Sequence, residues 1–254
     1  MIWQYHICAR WRLRVLMAAL KLSCDDVVLD AGCGDGYISF ELAKYVKSVV
    51  GVDIDDKIIA YNKRTIERQN LSFICYDISM LSNYFDNEIF DKVICIDTLE
   101  HSQNFLRIIE MFSNLLKTNG ILYATIPIGA HGHFEFKDEG KITEMLCLNG
   151  MKIVKIERIR MPPITATIQR GIERIKRVIQ PKLYSIEKEQ GSPDLWSETV
   201  SFQLIDNPTL VFKIYKVLFP VINLSTLLDK KPYEIGGESF LIMATKKYKI
   251  CYEN

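Results

Sequence analysis

The chain has 254 residues, of which 48% are hydrophobic and 25% are charged, and its formal net charge is +1. This composition is ordinary for one globular domain with an additional segment. The seven cysteines are scattered singly without a Cys-x-x-Cys pair, which argues against a disulfide framework and a zinc site. Cys75 and Cys95 fall in predicted strands, so we expect buried thiols in a reducing cytoplasm.

The N-terminal region combines Arg10, Arg12 and Arg14 with a short apolar run over residues 15–20. This combination is faintly similar to a secretory signal peptide. The run is short for such a signal, however, and the first predicted strand begins almost at once. We therefore interpret the region as a helix that packs on the sheet or covers a bound cofactor.

The most informative pattern is a buried strand, predicted over residues 27–31, that runs into a glycine-rich loop. Gly32, Gly34 and Gly36 alternate there, and glycine allows backbone N–H groups to come close to a ligand. The spacing Gly-x-Gly-x-Gly differs from the Gly-x-Gly-x-x-Gly fingerprint of dinucleotide sites. Asp30, two residues ahead of the first glycine, suits a ligand that carries an ammonium group.

Two further predicted strands each run into an acidic residue. The strand over residues 48–54 ends in Asp53, and the strand over residues 71–78 ends at Asp77. An acid in the first position can accept hydrogen bonds from both ribose hydroxyls of a nucleoside. The alternative is that Asp53 is an ordinary solvated residue at a strand end.

Four more strands are predicted further along the chain. One begins at Phe90 and runs into the sequence Asp-Thr-Leu-Glu-His over residues 97–101. A helix end, an Asn-Gly turn and a strand follow over residues 116–127. Apolar or alternating patterns over residues 151–160 and 238–247 predict the last two strands.

In this order the segments resemble the motifs of class I S-adenosylmethionine (SAM)-dependent methyltransferases, over about residues 25–160 and 238–248. The resemblance implies an α/β, Rossmann-like fold with a seven-stranded, mostly parallel sheet, helices on both faces and an antiparallel last strand. It also implies SAM as the cofactor. We expect no metal, because the His-x-His pair at His131 and His133 has no evident third ligand and methyl transfer needs none. The cofactor-binding residues that it implies are Asp30, Gly32, Cys33, Gly34, Gly36, Asp53, Ile54, Asp77, Ile78 and Ile96.

A long segment separates the last two predicted strands, which the minimal family fold joins by a hairpin. We predict a methyltransferase core over residues 1–161 and 238–254, and a mostly helical insert over residues 162–237. Residues 155–182 contain eight basic and two acidic residues, a charge of +6, which leaves −5 for the remainder. The isoleucines that recur at helical spacing within this basic stretch are Ile168, Ile172, Ile175 and Ile179.

The second predicted helix of the insert, over residues 209–228, is apolar on nearly every side. Lys213, Lys216 and Pro220 interrupt it, which makes it too broken for a transmembrane span. Two interpretations remain open. The helix is either a lid that packs on the core or on a second copy, or an interfacial helix at an anionic membrane surface beside the basic helix.

The candidate catalytic residues are histidines, because methylation of a hydroxyl needs a base that takes its proton. His101 follows the fourth strand, and His131 and His133 follow the fifth strand at the same edge of the sheet. The alternatives are a structural histidine in the Leu-Glu-His turn and simple packing of the later loop.

The predicted function is SAM-dependent methylation of a small or lipid-linked acceptor by in-line displacement. One alternative is an RNA methyltransferase that uses the basic residues 155–182. Against it, the segment after the fourth strand is Asp-Thr-Leu-Glu, not the Asn/Asp-Pro-Pro-Tyr/Phe of base-amino methylation, so nucleic acid is not the expected partner. The other alternative is a SAM-binding partner protein without catalysis. We expect a cytoplasmic protein, either free or attached peripherally to the inner membrane face.

Overall fold

The computed structural model describes residues 7–102, 104–128, 138–179, 210–237 and 239–246. Its centre is one eight-stranded sheet, with strands numbered in chain order and arranged as β3-β2-β1-β4-β5-β8-β6-β7. The strands are β1 (Val27–Ala31), β2 (Ser48–Asp53), β3 (Leu71–Cys75), β4 (Phe90–Ile96), β5 (Leu116–Pro127), β6 (Met151–Arg160), β7 (Glu234–Ile235) and β8 (Ser239–Lys246).

The first five strands are parallel to one another, and β8 is antiparallel to both β5 and β6. Parallel strands bring their carboxyl ends to one edge of the sheet, where open α/β folds bind ligands. The described helices are α1 (Ile7–Ala19), α2 (Tyr37–Leu42), α3 (Asp56–Thr65), α4 (Phe105–Leu115), α5 (Glu139–Leu148), α6 (Pro163–Ile179) and α7 (Leu210–Leu228). Short 3-10 helices cover Ile78–Asn83 and Leu99–His101.

Helices cover both faces of the sheet because successive strand residues point to opposite sides. Val93 of β4 packs in one apolar cluster with α4 and α5, whereas its neighbour Ile94 packs in the other cluster with α1 and α2. Leu122 and Tyr123 of β5 divide between the same two clusters. The predicted α/β fold with a mostly parallel sheet and an antiparallel last strand is therefore confirmed.

The strands differ from the prediction in number and in one boundary. The eighth strand is the two-residue β7, which pairs with Ile159 and Arg160 of β6 and is too short to produce an alternating pattern. The third strand ends at Cys75 instead of continuing to Ile78. It ends early because the carboxylate of Asp77 accepts the Ser79 N–H at 2.7 Å and so begins a 3-10 helix.

The two cysteines that were predicted to be buried in strands differ from each other. Cys95 lies in β4 and is completely buried. Cys75 is exposed, so the prediction was wrong for this residue. Its position as the last residue of β3 explains the difference, because the apolar pattern of a strand does not specify which of its ends is covered.

The N-terminal helix α1 packs on the sheet, which is one of the two roles expected for it. Trp11, Val15 and Leu16 join the apolar cluster that contains Val28 of β1. The indole Nε1 of Trp11 also donates to the carbonyl oxygen of Pro232 at 3.1 Å. The helix is thus fixed both to the sheet and to the chain that follows α7.

Helices α6 and α7 are joined to each other at one end and to α1 through a small apolar cluster. Asp229, directly after α7, accepts hydrogen bonds at the start of α6 from the Thr165 N–H at 2.9 Å and from the Thr165 hydroxyl at 2.7 Å. Ile7, Ile172 and Ile222 form a small buried cluster that connects α1, α6 and α7. Among the described residues, no helix is long and apolar enough to cross a membrane.

Candidate functional site at the carboxyl edge of the sheet

The glycine loop after β1 has a backbone that favours glycine. Gly32 has a φ of +80°, and a Cβ built on it would lie 2.3 Å from Oγ1 of Thr98. Gly34 has a φ of +50°, but a Cβ built there would meet nothing within 4 Å. Gly32 is therefore required by packing against the segment after β4, whereas Gly34 faces open space that a ligand can enter.

The N–H groups of this loop are largely engaged within the fold, contrary to the role expected for them. The N–H groups of Gly32 and Cys33 both donate to the carbonyl oxygen of Val52, at 2.8 and 2.9 Å. The Gly36 N–H donates to the Cys33 carbonyl at 3.0 Å. These hydrogen bonds hold the loop against β2 and close its turn. The contribution of the glycines is therefore that a ligand can come close to the backbone.

Asp53, at the end of β2, is held rigidly beside the loop. Its Oδ2 accepts the Gly34 N–H at 2.9 Å and its Oδ1 accepts the Asp55 N–H at 3.1 Å. Burial raises the pKa of Asp53, and the backbone hydrogen bonds partly oppose that rise. Each carboxylate oxygen has a second lone pair, so Asp53 can still accept two hydroxyl hydrogen bonds.

Asp30 lies beneath the loop and is only 2% exposed. Its Oδ2 accepts the hydroxyl of Ser39 in α2 at 2.5 Å. Burial raises the pKa of Asp30 to about 6, and the charge of Asp53 adds to the rise although the Ser39 hydrogen bond opposes it. No described basic side chain forms an ion pair with Asp30, so a cation near the loop would favour its ionised form.

The remaining predicted cofactor residues surround the same edge. Ile54 directly follows Asp53 and is 68% exposed, so its side chain is not part of the core. Ile78 and Ile96 are half-buried, and Asp77 caps the 3-10 helix that contains Ile78. Cys33 is buried, and burial raises the pKa of its thiol well above the usual value, so the side chain is a packing element.

A polar cluster that the sequence analysis did not identify lies where β4 ends. Asp97 has a φ of +48°, and its Oδ2 accepts a hydrogen bond from Nε of Arg12 in α1 at 2.7 Å. The hydroxyl of Thr125 donates to Oδ1 of Asp97 at 2.8 Å, and Nη2 of Arg12 donates to Oγ of Ser239 at 3.0 Å. The available signal was Arg12 itself, a charged residue among the apolar positions of a covering helix.

Glu100 and His101 stand next to this cluster. Glu100 is 2% exposed, and burial, together with the charge of Asp97, raises its pKa to about 8 although Arg12 opposes the rise. Nε2 of His101 lies 3.8 Å from Oε1 of Glu100, and the His101 side chain is 37% exposed. His131 and His133 lie outside the described residues. Within the described ranges, no group of three or more His, Cys, Asp or Glu residues is placed to hold a metal ion.

Comparison with known proteins gives a family. A model of the methyltransferase domain matches residues 22–188. The ubiquinone biosynthesis O-methyltransferase of Coxiella burnetii (strain Dugway 5J108-111) is 29% identical over 161 residues, an alignment that covers 54% of this chain and 68% of that protein.

Solved structures agree with the fold. An S-adenosylmethionine-dependent methyltransferase from Mesorhizobium loti is 12% identical with a TM-score of 0.59, over 94% of this chain and 100% of that one. The [4+2]-cyclase SpnF is 17% identical with a TM-score of 0.59, over 94% and 82% of the two chains. Since a methyltransferase and a cyclase resemble this chain equally, the structural likeness shows the fold alone.

Proposed function

Because this chain belongs to the methyltransferase domain family and uses SAM as its methyl donor, we propose that it methylates a hydroxyl group of a small, partly apolar acceptor at a membrane surface. The C. burnetii relative is named as an O-methyltransferase, which supports oxygen as the methylated atom. The division into a core of residues 1–161 and 238–254 and an insert of residues 162–237 is part of this proposal.

The observation that carries the proposal is that the Asp53 carboxylate lies next to the open space at Gly34. Asp53 would accept the ribose hydroxyls of SAM, while the absence of a side chain at Gly34 leaves room for the cofactor. Asp30 would balance its positive charge from beneath the loop, and the exposed Ile54 would contact the adenine ring. When bound, SAM supplies a methyl group that its sulfonium makes electrophilic.

The chain's own residues would then orient the acceptor and take its proton. His101 is the candidate base, because it is partly exposed at the edge where β4 ends. The imidazolium that forms after proton transfer would in turn favour ionisation of the Glu100 carboxyl group, whose Oε1 lies 3.8 Å from Nε2 of His101. His131 and His133 are further candidates from their position in the sequence, after the fifth strand.

The membrane part of the proposal is supported by the exposed face of α7. Its inner face is buried at Ile222 and Ser225, so α7 packs partly as a lid would. The outer face carries an apolar stripe at helical spacing, with exposed fractions of 77% for Val217, 48% for Val221, 54% for Leu224 and 55% for Leu228. We call these four residues the α7 stripe.

Basic residues lie on the helix next to the α7 stripe. Arg170 and Arg174 of α6 are exposed, and α6 packs against α7 through the cluster that contains Ile172. Apolar and basic surfaces on adjoining helices fit an anionic bilayer better than they fit RNA, because RNA would leave the apolar stripe in water. We therefore propose a cytoplasmic protein that attaches peripherally to the inner membrane face and methylates a lipid-linked acceptor there.

The test of the proposed function is the formation of S-adenosylhomocysteine from SAM. The protein would be incubated with SAM and a panel of phenols of increasing alkyl-chain length, with and without vesicles that contain anionic lipid. We expect acceptor-dependent product that increases with chain length and with vesicles. Binding of SAM by calorimetry without product from any acceptor would favour a non-catalytic partner protein, and methylation of bulk RNA would favour the RNA alternative.

A further inference from the structure

Three buried polar atoms around the end of β4 have no hydrogen-bond partner among the described residues. They are Nη1 of Arg12, Oε2 of Glu100 and the hydroxyl of Tyr123. Their residues are 8%, 2% and 0% exposed, respectively. Burying one such atom without a partner costs stability, and three in one region point to a group that pairs with them.

The three residues come from separate parts of the chain but surround the same ion pair. Arg12 belongs to α1, Glu100 follows β4, and Tyr123 lies in the middle of β5. The charges of Arg12 and Asp97 act on the pKa of both Glu100 and Tyr123, although burial is the larger cause of each rise. Glu100 and Tyr123 therefore both lie within electrostatic reach of the Arg12–Asp97 pair, which stands where β4 ends.

Three hydrogen-bonding groups of the Arg12–Asp97 pair have partners besides or within the pair. Nε and Nη2 of Arg12 donate to Asp97 and Ser239, and the other oxygen of Asp97 accepts from Thr125. Only Nη1 of the guanidinium is left to pair with something else. The Asp97 side chain is 32% exposed, so the group borders on solvent.

The chemistry of the three atoms favours one kind of ligand. Nη1 of Arg12 can only donate, and the Tyr123 hydroxyl has a proton to donate. Burial raises the pKa of Glu100 to about 8, so at neutral pH this carboxyl group is protonated and can donate as well. Three donors around one ion pair are complementary to an oxygen that carries negative charge.

We propose that Arg12, Glu100 and Tyr123 form a subsite that binds a negatively charged oxygen of the methyl acceptor, in a carboxylate or a phenolate. This inference rests on the proposed function and specifies the chemical class of its acceptor. The acceptor would place its charged oxygen against α1 and β5. Arg12, in a helix outside the glycine loop, would thereby contribute to acceptor specificity and leave SAM binding unaffected.

The test measures binding of three probes by calorimetry to protein saturated with S-adenosylhomocysteine. The probes are 3,4-dihydroxybenzoate, benzoate and catechol, which separate the carboxylate from the phenolic oxygens. We expect Tyr123→Phe to weaken binding of 3,4-dihydroxybenzoate by about tenfold, as for a lost hydrogen bond to a charged group. Benzoate binding with the same sensitivity identifies a carboxylate site, and catechol binding identifies a phenolate site. Tyr45→Phe, an exposed tyrosine beyond α2, is the matched control and should leave binding unchanged.

A pH series separates this role from a merely structural one. Arg12, Asp97, His101 and Cys95 lie near Glu100, and its ionisation would add negative charge beside the bound oxygen. Wild-type affinity for benzoate should therefore fall as the pH rises through about 8, whereas Glu100→Gln should bind it with little dependence over that range.

Two results would overturn the inference. One is equal affinity of wild type and Tyr123→Phe for every probe, which would mean that the subsite holds solvent only. The other is failure of all three probes to bind wild-type protein that does bind S-adenosylhomocysteine. Failure of S-adenosylhomocysteine itself to bind would instead overturn the cofactor assignment on which the proposed function depends.

Discussion

Gly34 and Asp53 are joined by a hydrogen bond of 2.9 Å from the backbone N–H of the glycine to Oδ2 of the carboxylate. The amide group of Asn62 in α3 donates to the Gly34 carbonyl at 2.7 Å, so both polar groups of this glycine are fixed by side chains. The loop after β1 and the end of β2 therefore form one rigid unit before any ligand is present. Such preorganisation limits the entropy lost when a cofactor binds.

The first prediction concerns Asp53. Replacing Asp53 with Ala should weaken SAM binding by about 1–3 kcal/mol, the range for losing charge-assisted hydrogen bonds. Calorimetric titration with SAM measures this change. Asp56→Ala, which removes an exposed carboxylate at the start of α3, is the control and should have a small effect. Unchanged SAM affinity in Asp53→Ala would contradict the assignment of this residue to the ribose.

The second prediction compares two glycines in one loop. Gly32→Ala should destabilise the fold, because its Cβ would lie 2.3 Å from the Thr98 hydroxyl oxygen. Gly34→Ala has no such clash and should cost only about 1–2 kcal/mol for its left-handed backbone. Its methyl group would nevertheless occupy the open space, so we expect a folded protein that binds SAM poorly. Thermal unfolding and calorimetry on both variants decide this, and normal SAM binding by Gly34→Ala would contradict it.

Much of this loop could be predicted from the sequence, but one part of its role could not. The alternation of Gly32, Gly34 and Gly36 after an apolar strand predicted a turn directly after β1, and the structure has one there with positive φ at all three glycines. The pattern does not specify hydrogen-bond partners, however. The Val52 carbonyl accepts two of the loop N–H groups because β2 lies beside β1, which is a relation between strands that are distant in sequence.

The third prediction is a pH dependence of stability that originates at Asp30. Burial raises its pKa from 3.8 to about 6, so the folded state binds a proton more tightly than the unfolded chain does. The stability that this proton provides is present below about pH 4 and is lost as the pH rises through about 6. A difference of roughly two pKa units corresponds to about 3 kcal/mol.

The measurement for Asp30 is urea unfolding of wild type and Asp30→Asn from pH 4 to pH 8 without cofactor. Asp30→Asn lacks the ionisation and should be the more stable protein at pH 8, by an amount that decreases toward pH 4. At neutral pH it should also bind SAM more weakly, since the negative charge beneath the loop is gone. Parallel stability curves for the two proteins would show that Asp30 titrates normally.

The fourth prediction assigns the candidate base. His101→Ala should lower turnover by about 10²–10⁴-fold, the usual contribution of a positioned base, and leave SAM affinity within about twofold. Methyl-transfer kinetics with a responsive phenol, combined with SAM titration, separates the two effects. His131→Ala and His133→Ala belong in the same assay, because both were predicted as catalytic from the sequence. Full activity in all three variants would leave alignment of the reactants as the chain's main contribution.

The polar cluster around Arg12 and Asp97 was not predicted, for a physical reason. Arg12 and Asp97 are 85 positions apart, and the guanidinium of Arg12 reaches Asp97 only because α1 lies across the sheet. Sequence patterns predict elements, but the register of a helix over a sheet is decided by side-chain packing of the whole core. The same limit applies to α7, where the pattern predicted an apolar helix without specifying which of its faces is buried.

The last prediction concerns the α7 stripe. The paired substitution Val217→Asp and Leu224→Asp places two charges on its most exposed part and should abolish co-sedimentation with vesicles that contain anionic lipid. Wild-type binding should weaken with salt, because each nearby Lys or Arg contributes about 1 kcal/mol at low ionic strength. Val154→Asp, at an exposed valine of β6, introduces a charge elsewhere and should leave vesicle binding intact. Wild-type protein that ignores both neutral and anionic vesicles would leave α7 with the role of a lid.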